Sequence, residues 1–106
     1  MLKGFRGKIS NSETILCTAL ASKNYLIKSV ILTNNSSSTN IAFDLYVTSG
    51  SEDYLLAPKG LSLFAGETFI SDVEVFINAK DSLRAIIATG SGSLLDYNVL
   101  VEIMNK

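Results

Sequence analysis

Short apolar runs separated by clusters of Ser, Thr, Asn and Gly recur along the whole chain. The clearest run is Ile41-Ala42-Phe43-Asp44-Leu45-Tyr46-Val47-Thr48, in which the odd positions are large and apolar and the even ones are Ala, Asp, Tyr and Thr. Side chains two apart share one face of a strand. The pattern therefore predicts a strand with Phe43 and Leu45 in the core and Asp44 and Tyr46 on the outer face. Residues 97–103 repeat the logic, with Tyr97, Val99, Val101 and Ile103 pointing one way and Asn98 and Glu102 the other. Further strands are predicted over 25–33, 73–77 (Val73, Val75 and Ile77 inward) and 83–89 (Leu83, Ala85 and Ile87 inward). Shorter ones are predicted over 14–19, 54–57 and 66–70, and residues 5–9 form a strand or an arm.

Residues 25–33 break the alternation. Leu26, Ile27, Val30, Ile31 and Leu32 fall on both parities, which predicts either a strand covered on both faces or a bulge near Lys28-Ser29. Between the runs, residues 34–40 are only Asn, Ser and Thr, suited to side-chain-stabilised turns. Ser49-Gly50-Ser51 and Gly90-Ser91-Gly92-Ser93 read as links, and Pro58, the single proline, marks a strand end. No window holds a helical period, and β-branched residues favour strands. The expected fold is all-β. It is a two-layer antiparallel β-sandwich, jelly-roll or immunoglobulin-like, of roughly seven to nine strands. Residues 1–9 are expected as an N-terminal basic arm and 10–106 as the sandwich domain.

Composition narrows function more by exclusion than by assertion. Only 18% of the 106 residues are charged, and neutral surface is less costly to desolvate in a permanent contact. The net charge of −1 gives no basic excess for nucleic acid. No apolar stretch approaches the roughly 18 residues of a membrane span, and no secretory leader follows Met1. Asn34-Asn35-Ser36 matches a glycosylation pattern but reads as turn chemistry. Charge is uneven, however. Residues 1–30 carry Lys3, Arg6, Lys8, Lys23 and Lys28 against Glu13, net +4, whereas the remainder carries four cations and nine acids, net −5. Either the basic end meets the acidic body of a neighbouring copy, or it is simply solvated.

The chain has no histidine and one cysteine, Cys17, flanked by Ile15, Leu16 and Ala19. A buried thiol without a base is expected, and His-based triads and zinc sites are excluded. Asp44, Glu52 and Asp53 lack both the cleft-spanning separation of a glycosidase pair and the spacing of a calcium loop. No catalytic, cofactor-binding or metal-ligating residue is assigned, and no cofactor is expected. A carbohydrate-binding module is the alternative from another class. It would use exposed aromatics, for which Tyr25, Tyr46, Tyr54 and Phe76 are candidates, with Tyr46 beside Asp44 as the best sugar-facing pair. Tyr46 serves equally as an interface anchor. Other partner-binding candidates are Lys3, Phe5, Arg6 and Lys8, with Gly4 and Gly7 as joints between them.

Three segments carry a resemblance. They are Lys28-Ser29-Val30-Ile31-Leu32-Thr33-Asn34 before its polar turn, Leu63-Phe64-Ala65-Gly66-Glu67-Thr68, and Ile77-Asn78-Ala79-Lys80-Asp81-Ser82-Leu83-Arg84-Ala85. In order and spacing they resemble small β-sandwich structural proteins of tailed bacteriophages, over residues 14–103. The sequence departs at Lys80, where that pattern has glycine, and lacks a proline near Ala21-Ser22-Lys23. The resemblance implies a non-catalytic virion protein, assembled in the host cytoplasm. It would bind capsid or tail proteins as a homo-oligomer and cover or cement their lattice.

Overall fold

A computed structural model describes residues 1–72, 74–89 and 95–106. Among them are ten strands and no helix: β1 (Leu2–Ile9), β2 (Thr14–Thr18), β3 (Lys23–Asn34), β4 (Ile41–Ser49), β5 (Glu52–Leu55), β6 (Leu61–Leu63), β7 (Thr68–Ser71), β8 (Val75–Ile77), β9 (Ser82–Thr89) and β10 (Leu95–Asn105). The first sheet runs β1-β10-β3-β7, with β8 beside β7 along β3. The second runs β2-β9-β4-β5, with β6 beside β5 along β4. All pairings are antiparallel.

The ten strands occupy eight positions, since β5 and β6 share one and β7 and β8 another. The first half of the chain then pairs with the second in mirror order: β1 with β10, β2 with β9, β3 with β7 and β8, and β4 with β5 and β6. One long hairpin, with its tip at Gly50, has wrapped so that its arms alternate between two sheets. This is jelly-roll connectivity, and it decides between the two sandwich types left open by the strand pattern.

The core lies between the sheets. Phe43, Leu45, Val101 and Val99 are buried, as parity predicts, and the Phe43 ring meets Phe69 edge-on at 5.5 Å between centroids. The irregular third strand has its bulge. Leu100 faces Ser29 and Val101 faces Ile27, leaving Lys28 as the extra residue. One added residue reverses parity. Tyr25 and Ile27 therefore point inward before it and Val30, Leu32 and Asn34 after it. This corrects the expectation that Tyr25 is exposed. A second irregularity, between Ile15 and Cys17, lets adjacent Leu16 and Cys17 both reach the core. Residue 73 and the link 90–93 lie outside the described residues.

Residues 1–9, expected as an arm, form β1 with unbroken register from Leu2 opposite Glu102 to Ile9 opposite Leu95. Gly7 is a packing residue in this strand, not a joint, because an added Cβ would stand 2.9 Å from the Tyr97 ring.

Candidate interaction surface

The Cys17 thiol is buried, and burial pushes its pKa up to about 11, so it stays protonated at neutral pH. Among the described residues no three Cys, Asp or Glu side chains gather as metal ligands. The outer faces of the two sheets therefore become the surfaces of interest, and they differ.

On the second sheet, polar side chains are tied to one another. The Tyr46 hydroxyl donates to Glu13, and Arg84 Nη1 reaches the same carboxylate at 2.6 Å while its Nε donates to Ser82 Oγ at 2.7 Å. The hydrogen bonds from Tyr46 and Arg84 hold the Glu13 carboxyl below its ordinary pKa, while burial and that same carboxylate raise the Tyr46 phenol. Asp44 accepts from the Gly60 amide at 2.7 Å and lies 3.7 Å from Lys59 Nζ. Tyr46 faces outward, as its parity requires, yet is only 8% exposed. Distant segments close over it, so the Tyr46–Asp44 pair is occupied internally and offers no aromatic platform. Asp44, Tyr46, Asp53, Leu55, Lys59 and Ile86 line a shallow cleft there.

On the first sheet the outer face carries large apolar side chains beside paired polar ones such as Lys28–Glu74 at 2.8 Å. Directly opposed residues share a face, which places Ile31 beside Ile70 and Leu26 beside Phe76. Leu100 lies on the same face across from Ser29, and Leu2 opposes Glu102 at its upper rim. Ile70, Phe76 and Leu100 are exposed, Ile70 at 64%. Phe76 was foreseeable as an exposed aromatic, and Leu100 shares the outward parity of Asn98 and Glu102; Ile70 was not foreseeable. The signal was present in residues 25–33: once the bulge assigns Ile27 and Val30 inward, Leu26 and Ile31 must face out.

The edge strand β1 brings the predicted basic residues together but changes their roles. Arg6 and Lys8 point out of the first sheet. Arg6 Nε donates to Asn98 Oδ1 at 3.0 Å, and Lys8 pairs with Asp96 at 2.5 Å. Phe5, expected as a free anchor, opposes Val99 on the inner side and lies 6.4 Å from the Tyr25 ring, with Lys3 Nζ 5.3 Å above it. It seals the margin of the core. Across the molecule, the edge strand β5 is exposed along its whole length and carries Glu52, Asp53, Tyr54 and Leu55.

Compared by sequence, the chain matches no family and no curated protein. Compared by structure, it is similar to a chain of the acidic stable capsid of Helicobacter pylori bacteriophage KHP30. That match has a TM-score of 0.55 and 12% identity, and covers 98% of this chain and 86% of that one. It is also similar to the PRD1 vertex protein, with a TM-score of 0.54 and 17% identity over 99% and 96% of the two chains. A pentameric capsid protein isolated from metagenomic phage sequences matches with a TM-score of 0.50 and 15% identity, over 96% of this chain and 63% of that one. At such identities the likeness is one of fold.

Proposed function

We propose that this chain is a non-catalytic structural protein of a phage particle, binding capsid proteins and covering or cementing their lattice. The observation that carries this reading is the end-to-end correspondence of its jelly roll with a phage capsid chain and a vertex protein, with little left over on either side. The outer face of the first sheet supports it. Ile31, Ile70, Leu26, Phe76 and Leu100 lie on it, interrupted by the Lys28–Glu74 ion pair and bordered by Arg6 and Lys8, and apolar side chains in such a setting suit a protein–protein contact. This reading puts the chain in the virion, and the origin of the similar structures in capsids and a vertex supports the capsid over the tail. The experiment is to image purified particles, or map them with labelled antibody. Density for this fold on the capsid surface is expected. Particles that lack the protein altogether would overturn the proposal.

A further inference from the structure

The sandwich has two uncapped edges of opposite charge, one of eight residues and one of four. β1 is the free edge of the first sheet. It is eight residues long, paired without a bulge to β10, and exposes Leu2, Lys3, Gly4, Arg6, Gly7 and Lys8. β5 is a free edge of the second sheet and exposes Glu52, Asp53, Tyr54 and Leu55. No strand pairs the outer side of either among the described residues. Neither Lys3 nor Arg6 meets an acid there, and neither Glu52 nor Asp53 meets a cation. Because β1 borders β2 while β5 lies at the far end of the second sheet, the two edges stand on opposite sides of the molecule.

We infer that the β1 edge of one copy docks against the β5 edge of a second copy of this chain, head to tail. The inference deepens the structural role proposed above and rests on it for its setting. Charge selects the partner. A second β1 would bring cations against cations, and a second β5 acids against acids, so both like-with-like edge pairings are disfavoured. The unlike pairing places Lys3 and Arg6 beside Glu52 and Asp53. It also buries Leu2, 58% exposed, near Tyr54 and Leu55, 57% and 52% exposed. Free backbone groups on both edges can then complete hydrogen bonds that solvent now satisfies. Since the contact joins two different surfaces, it is heterologous, and each copy keeps one edge free for the next. Repetition closes a ring if the rotation allows.

The test uses the purified full-length chain without other particle components, in sedimentation runs across concentration at low and high salt. The wild type should assemble beyond the monomer, less readily at high salt. Lys3→Glu with Arg6→Glu, and separately Glu52→Lys with Asp53→Lys, should each raise the concentration of half-assembly by about tenfold or more, a loss of roughly 1.4 kcal/mol. Mixing the two variants should restore assembly, because each then supplies the edge that the other lacks. A monomeric wild type, variants that assemble like the wild type, or folded variants that stay apart on mixing would each overturn the inference. A monomer that is nevertheless found on particles would leave the structural role standing and remove only this contact.

Discussion

Two turns in this molecule solve one problem with different residues. Phe64-Ala65-Gly66-Glu67 leads into β7, and Asn78-Ala79-Lys80-Asp81 leads into β9, each after the chain has crossed between sheets. In both, the fourth amide bonds the first carbonyl, Glu67 to Phe64 at 2.9 Å and Asp81 to Asn78 at 3.0 Å. In both, the acidic side chain at the fourth position accepts the first amide, at 2.8 and 3.1 Å. Each turn is then pinned by two backbone bonds to one residue at the end of the partner strand. Asn34 takes the Gly66 amide and gives its own to Glu67; Ala19 does the same with Lys80 and Asp81. The third residue has positive φ in each, 79° at Gly66 and 74° at Lys80, as a type II turn requires. The sites differ in three ways: a buried Asn stands against an Ala as the clamp, Gly against Lys at the left-handed position, and among the described residues only the second turn has its second amide, Ala79, bonded to a side chain, Asn24. The Ala19 backbone bonds, the Asp81 carboxylate and Asn24 Oδ1, which accepts the Ala79 amide at 3.0 Å, together hold a lysine in a conformation it disfavours.

The clamp offers the strongest way to break this equivalence. Asn34 is fully buried, and its Nδ2 donates to the Thr39 and Leu63 carbonyls at 2.8 and 3.0 Å while Oδ1 accepts from Ser36 at 2.9 Å. Asn34→Ala leaves buried carbonyls unpaired and should cost about 2–3 kcal/mol in a denaturant titration. Amide exchange should rise around the first turn and not the second, whose clamp Ala19 acts through backbone alone. The acids come next. Asp81 is 9% exposed whereas Glu67 is exposed, so Asp81→Ala should cost about 1–2 kcal/mol and Glu67→Ala about 0.5 kcal/mol. Equal losses would mean that burial does not separate the two sites.

Such local features were legible where neighbouring residues decide them. Alternation in residues 41–48 and 97–103 placed Phe43 and Val101 in the core, and two parities in one run offered the bulge at Lys28-Ser29 as one of two explanations, the one the register bears out. The polar run after Asn34 folds as its chemistry suggests, with Ser36 Oγ accepting the amides of Ser38 and Thr39. What remained hidden depends on partners far along the chain. Tyr46 has the outward parity expected of it, but Glu13 and Arg84 cover it. Residues 2–9 read as an arm because a strand with one side against solvent needs few large apolar positions, and its partner β10 begins at Leu95. The roles of Phe5 and Gly7 follow from that pairing, which no local pattern encodes.

The left-handed position gives two opposite effects, both smaller than the loss at Asn34. At Gly66 an added Cβ would meet nothing within 4 Å, so Gly66→Ala tests conformation without crowding. It should cost about 1 kcal/mol, the left-handed penalty of roughly 1–2 kcal/mol less the entropy recovered from the unfolded chain. A neutral result would show that the turn shifts to accommodate the side chain.

Lys80→Gly is the mirror experiment, with an effect of opposite sign. Lys80 is exposed and forms no ion pair among the described residues, so its side chain gives up little. Removing its Cβ relieves about 1–2 kcal/mol of left-handed strain, against roughly 0.5–1 kcal/mol for the greater freedom of glycine when unfolded. The net gain should be about 0.5–1 kcal/mol, raising the thermal midpoint by roughly 2–6 °C. Gly66→Lys then asks whether the turns are interchangeable. Alone it should lower the midpoint by a similar amount. Because the two turns share no clamp residue, its effect should add to that of Lys80→Gly. The double variant, with glycine and lysine exchanged between the turns, should melt close to the wild type. A double variant well below it would show that Asn34, already committed to the 34–39 loop, holds its turn too rigidly to accept what Ala19 allows.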